Sequence, residues 1–337
     1  MPQHRVLLGS DERYDIDIYQ FQLITPIKRN WALGIQVSRE IMSGASPWGT
    51  TMGANEKPAL IMSGATIRDS RLETAITFTR YFETSSTNIT LSRSKEDDYT
   101  SKAITIGNDW EFGLGTLALG LSYSTDDIEP SEAALFNRVT DEKKRSRSFS
   151  AAWTQILNKT SLFQAGLSIT KRWGFLADPY KLRDVRPSGR LEKTISARYR
   201  KFVQSLGVAL HLDYRYFRDD FGIRSHTLEA NWHQPVTESF KLIPSVRYYS
   251  QREADFYSVY DNFALPITAS QSSDYRLSSY GAYAFGLKGV FNRDDWSIDL
   301  AVERYIASGD YGLDDPKLEH PALLSFNLVT LGVSYRF

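Results

Sequence analysis

"LGTLALGLSY", residues 114–123, places Leu117, Leu119, Leu121 and Tyr123 on one side of an extended chain, with Thr116, Ala118, Gly120 and Ser122 on the other. Successive side chains of a strand point to opposite faces, so this spacing asks for an apolar medium on one face and a polar one on the other. The same period recurs along the chain. "NWALGIQVSRE" (30–40) opposes Trp31, Leu33, Ile35 and Val37 to Ala32, Gly34, Gln36 and Ser38. "SLFQAGLSIT" (161–170) opposes Phe163, Ala165, Leu167 and Ile169 to Gln164, Gly166, Ser168 and Thr170. "GVALHLDYRY" (207–216) opposes Val208, Leu210, Leu212 and Tyr214 to Ala209, His211, Asp213 and Arg215. In "LVTLGVSYRF" (328–337) the stripe is Val329, Leu331, Val333, Tyr335 and Phe337.

A soluble sandwich also alternates, so segment length and connections must decide. The segments run about 10 to 14 residues, against about five or six for soluble strands, and suit a tilted bilayer crossing. Connections alternate in length. Tight ones fall at 26–30, 82–86, 112–115, 157–160, 234–239 and 291–295, and long polar ones at 43–69, 125–145, 173–190, 251–275 and 307–322. Short turns at one rim and long loops at the other describe a bacterial outer-membrane barrel. Trp31, Tyr81, Phe82, Trp110, Phe112, Phe202, Trp232, Phe240, Phe291, Trp296 and Phe337 flank the tight turns, as an aromatic girdle at a membrane interface would.

Composition narrows the field. With 42% hydrophobic and 24% charged residues, the chain is neither disordered nor a helical membrane protein. No run approaches the roughly 18 apolar residues of a spanning helix. Forty Lys and Arg balance forty Asp and Glu, so no global field points to nucleic acid. The absence of cysteine excludes disulfides, thiolate metal sites and a cysteine nucleophile. The amino end carries no charged-apolar-small leader, so the expectation is either a cytosolic chain or one whose leader has been removed, and the organisation favours the second.

Fourteen segments run from "WALGIQV" onward, preceded by "DIDIYQFQLIT" (15–25); "HRVLLGS" (4–10) completes an even total. The expectation is one all-β domain over residues 1–337: a transmembrane antiparallel up-and-down β-barrel of about sixteen strands, with fourteen as the fallback.

Several stretches resemble a family of Gram-negative outer-membrane barrel proteins classed as a domain of unknown function. They are "RYD" (13–15), "SGASPW" (43–48), "DPYKLRDVRP" (178–187), "LDYRYFRDDFGIRSHTLEANW" (212–232) and "VRYYSQREADFYS" (246–258). The resemblance implies the barrel fold and an outer-membrane location and supplies no functional residues. "IDIYQF" follows "RYD" where relatives more often carry glycines. Relatives often lie near genes for small lipoproteins and a flavin-attaching transferase, which points to an envelope redox system.

Candidate site residues come from the inward positions. Four consecutive segments offer Ser196, Arg198 and Arg200; His211, Asp213 and Arg215; Thr227, Glu229 and Asn231; and Ser245 and Arg247. They are expected to form a cross-strand Arg–carboxylate ladder, which either braces a wet wall or sets a field that selects anionic or zwitterionic solutes. The first half of the chain instead offers small residues: Gly34, Ala75, Gly107, Ala118, Gly120, Ala152, Gly166 and Ser168. These either widen a channel or receive a loop (43–69 or 251–275) or a partner's segment, packed against Gly34, Gly107, Ala118, Gly120 and Gly166.

His211 and Asp213 share a strand face, but no nucleophile motif accompanies them, and no enzyme is expected. The five histidines lack metal-ligand spacing, and no cofactor, metal or nucleic-acid site is expected. The acidic stretches 124–130 and 308–320 lack the spaced oxygen ligands of a calcium loop. The sequence reading is an outer-membrane barrel of channel or conduit type. The alternative is a plugged barrel anchoring a small lipoprotein or envelope redox partner. Its surroundings would be outer-membrane lipids and lipopolysaccharide, and its terminal aromatic strand resembles the signal read by the barrel-insertion machinery.

Overall fold

A computed structural model describes residues 3–9, 14–53, 56–63, 67–314, 316 and 318–337. Arg13 of the "RYD" stretch and Ser10 of the first candidate segment lie outside these. So do positions 54, 55 and 64–66 of the 43–69 connection, and 315 and 317 of the 307–322 connection.

The strands of the main sheet are β1 (Gln3–Gly9), β2 (Tyr14–Lys28), β3 (Trp31–Gly44), β4 (Ile67–Tyr81), β5 (Ser85–Lys95), β6 (Tyr99–Phe112), β7 (Gly115–Ile128) and β8 (Glu142–Asn158). They continue with β9 (Ser161–Gly174), β10 (Gly189–Val203), β11 (Val208–Asp219), β12 (Arg224–Pro235), β13 (Phe240–Gln251), β14 (Tyr280–Arg293), β15 (Trp296–Ser308) and β16 (Phe326–Tyr335). Each strand pairs antiparallel with the next in sequence, and β1 pairs on its other edge with β16.

Register keeps each alternating set on one face. Leu121 of β7 faces Ile106 of β6 and Phe149 of β8, while Gly120 faces Gly107 and Ser150. The apolar face is exposed along its length: Ile76, Ile106, Leu121, Leu167, Ile195, Leu228, Phe285 and Leu300 all stand uncovered. A water-soluble sheet would bury such a stripe against another layer.

One end of the sheet carries tight turns. Between β6 and β7 the turn is Gly113-Leu114, and Gly113 sits at φ 60 with open space around it, a conformation that favours glycine. The other end carries the long connections 44–67, 128–142, 174–189, 251–280 and 308–326, together with short ones that include 95–99 and 219–224. The expected loop 125–145 is shorter than anticipated because its flanks extend the ladder. Asp126 accepts a hydrogen bond from Ser101 at 2.6 Å and pairs with Lys144 at 3.1 Å, so these polar residues belong to β7 and β8. Of the expected girdle, Trp31, Tyr81, Phe82, Phe112, Phe291, Trp296 and Phe337 are exposed at the tight-turn end. Tyr81 shares the alternation of Ala75 and Thr77, and Phe202 that of Arg198 and Arg200, so the register puts both on the polar face.

Candidate functional site

On the polar face, Gln164, Arg198, Asp213, Glu229 and Arg247 occupy one register line across β9 to β13. Asp213 is the hub. The Arg200 guanidinium donates to it at 2.8 Å, and Arg198 Nε lies 3.4 Å away. Arg198 also donates to Gln164 at 3.2 Å, and Gln164 donates to Thr154 at 2.7 Å. Asn231 donates to Glu229 at 2.9 Å, and Arg215 stands 5.7 Å from the Phe217 ring centre. The Arg198 side chain remains 58% exposed, so part of its charge faces solvent rather than a partner. The His211 and His233 rings lie 4.0 Å apart, centre to centre, with their planes tilted by 43°. His233 continues the Thr227, Glu229, Asn231 alternation and was legible by the same period.

Along the small-residue wall, the nearest atoms come from the wall itself. A Cβ added at Gly107 would meet Asn88, at Gly120 the Ser150 hydroxyl, at Gly166 the Ser196 hydroxyl and at Gly34 Thr77. These are side chains of adjacent wall strands. Short hydroxyl and amide residues lean over the glycines, and no loop supplies the nearest atoms there.

The long connections assemble at the other end of the sheet. Pro47–Met52 pairs with Pro58–Met62, and Asp184–Val185 pairs with Gln271–Ser272, which ties the 174–189 and 251–280 connections together. Asp274, with no exposed side-chain surface, accepts from Arg186 at 2.7 Å and from Arg276 at 2.8 and 2.9 Å. Arg186 also grips Asp184, and Arg276 reaches Asp178 at 2.7 Å. Lys181 donates to the Pro47 carbonyl at 2.7 Å, Thr50 N donates to Asp261 at 3.1 Å, and the Thr50 hydroxyl meets His320 at 3.3 Å. Burial alone would raise the Asp274 carboxyl, but the guanidiniums of Arg276 and Arg186 hold it well below the usual carboxylate range. Burial lowers the Lys181 ammonium.

This cap has a small apolar core of Phe221, Ile223, Ala254 and Leu277, against which Leu176, Phe217, Phe256 and Tyr257 pack. Phe217 belongs to the polar face of β11, so the cap leans on that face. The stretch "DDFGI" builds the corner. Asp219 Oδ1 accepts from Phe221 N at 3.1 Å and Ile223 N at 2.9 Å. Gly222 turns at φ 90 where a Cβ would collide with the Asp255 carboxylate. Between the cap and the wall lies a cavity of about 510 Å³ lined by Tyr99, Lys144, Arg172, Asp178, Tyr180 and Arg276, among others. Tyr180 donates to Asp98 across it. The motifs at 178–187 and 246–258 carried no role in the sequence; here both meet Ser272, through Asp184 and through Tyr257, which alternation could not reveal.

Comparison with solved structures places this architecture among outer-membrane barrels. The siderophore receptor PirA from Pseudomonas aeruginosa matches with a TM-score of 0.50 at 10% identity, over 98% of this chain and 60% of the receptor. PirA from Acinetobacter baumannii matches at 0.51 and 10% identity, over 91% of this chain and 52% of that one. A bacterial polysaccharide outer membrane secretin matches at 0.52 and 8% identity, over 100% of this chain and 99% of its own. The chain thus spans little more than half the length of the two receptors, and at these identities the likeness is one of fold. No curated protein matches the sequence. A family model covers residues 9–314, through the polar-face row and most of the cap, and the chain belongs to the family described as protein of unknown function (DUF3570).

Proposed function

We propose that the sheet is a closed barrel of sixteen strands in the bacterial outer membrane, with the polar face as its lumen, and that it serves as a conduit for small anionic or zwitterionic solutes. The β1–β16 pairing supports closure. One observation carries the conduit reading: a single register line holds Arg198, Asp213, Glu229 and Arg247, with Arg200 and Arg215 alongside. Fixed charges along a pore wall select permeants by sign. The reading assigns no catalytic residue.

A second reading has its own support. The buried Asp274–Arg186–Arg276 network makes the cap a built structure, as a plugged barrel anchoring a small lipoprotein or envelope redox partner would require. Planar-bilayer recording separates the two. The conduit reading expects conductance in the intact protein and a shift toward cation selectivity when Arg198, Arg200, Arg215 and Arg247 are all changed to Gln. A protein without conductance favours the anchor.

A further inference from the structure

The apolar face is not apolar to its end. On seven of the eight strands β5 to β12, its outward alternation runs through aliphatic and aromatic residues and then turns basic toward the long connections. On β5, Ile89 and Leu91 give way to Arg93 and Lys95; on β9, Leu167 and Ile169 give way to Lys171. Ile195 gives way to Lys193 on β10, and Leu228 to Arg224 on β12. Only β7 departs, ending in Thr125 and Asp127.

The register makes this belt costly by itself. Arg93 faces Lys102, Arg147 faces Lys171, Lys193 faces Arg218, and Arg218 faces Arg224. Like charges directly opposite on one face of a sheet repel. Among the described residues, Lys143 pairs with Asp127 at 3.5 Å, but these seven cations have no carboxylate within ion-pair distance. All seven are exposed. Arg147 is held over the Trp173 and Tyr123 rings, at 5.3 and 5.8 Å, which orients its guanidinium at the edge of the apolar band.

We infer that this half-belt is a docking surface for the phosphorylated glycolipid of the outer leaflet, lipopolysaccharide. The inference rests on the membrane reading above. A ligand here must present anionic groups to paired Lys and Arg while laying acyl chains on the stripe immediately below. A phosphorylated lipid does both, and its phosphates bridge cations that otherwise repel. The belt is interrupted beyond β12: toward the same end, the outward positions of β13 and β14 are Tyr248, Ser250, Gly281 and Tyr283. The lipid therefore docks along β5 to β12.

The test uses the purified full chain in detergent, with bisphosphorylated lipid A, the same lipid dephosphorylated, and inorganic phosphate as probes. The melting midpoint is read from the folded and unfolded bands on a gel. The expected result is a rise with bisphosphorylated lipid A only, lost in the R147Q/K171Q/K193Q/R218Q variant and retained in a variant exchanging Lys and Arg at the same four positions. Equal stabilisation by both lipids, or a full shift in the Gln variant, would overturn the docking surface while leaving the membrane reading in place. If the Gln variant does not fold, the wild-type comparison of the two lipids decides. Wild-type protein recovered outside the outer-membrane fraction would instead bring down the membrane reading, and the docking surface with it.

Discussion

Changing Asp274 to Asn removes the buried charge on which the cap converges while keeping its shape. Breaking a buried ion pair typically costs about 3–5 kcal/mol, because the remaining charge is left uncompensated. Here the loss is smaller. Arg186 keeps Asp184, and Arg276, 56% exposed, keeps Asp178 and can be rehydrated. About 2–3 kcal/mol is the reasoned cost, and at about 1.4 kcal/mol per decade the open cap becomes about 30- to 150-fold more populated. The wall strands hydrogen-bond to one another and not through Asp274, so opening is local. Limited chymotrypsin digestion in detergent reads it: cleavage after half-buried Phe256 and Tyr257 accelerates by that factor. Cleavage at exposed Phe263 serves as the internal control. The folded band on a gel should stay unchanged. Unaltered cleavage at Phe256 and Tyr257, or loss of the folded band, would refute the reasoning.

Leu119→Arg, on the apolar stripe of β7, should cost about 2–4 kcal/mol if it sits near the bilayer midplane, measured by urea unfolding in lipid vesicles. Burial, with Asp69 and Asp98 nearby, pushes the Glu96 carboxyl up to about 6. A raised acid contributes its stability fully below its ordinary value of 4.5 and loses it as pH rises through about 6. The wild-type melting temperature should therefore fall across that window, and Glu96→Gln should flatten the fall. Gly120→Gln meets a Ser150 hydroxyl, which can rotate away, and no packed loop. It should change stability by less than about 1 kcal/mol, against the 1–3 kcal/mol of an overpacked site, by the same unfolding measurement.

The wall was legible because a strand in contact with two media writes its environment at every second residue. Leu117, Leu119 and Leu121 against Ala118 and Gly120 state the face of β7 without any knowledge of its neighbours, and the alternating turn lengths supply the connectivity. The Arg198–Asp213–Glu229–Arg247 line was legible for the same reason, since each residue occupies an equivalent position on consecutive hairpins. The cap was not. Arg186, Asp274 and His320 lie on separate connections with no period, and their meeting is set by tertiary packing. The surroundings of the glycine wall were not legible, because cross-strand partners matter as much as the glycine itself. Ser150 and Ser196, on the neighbouring strands, supply the nearest atoms to Gly120 and Gly166.

Because the chain has no cysteine, single cysteines placed at each position from 116 to 123 report their surroundings without background. In protein reconstituted into lipid vesicles, a water-soluble maleimide should label positions 118, 120 and 122, while positions 117, 119 and 121 resist it and are quenched by brominated acyl chains. Uniform labelling, or lipid quenching without the period of two, would contradict a membrane-spanning wall with a polar lumen.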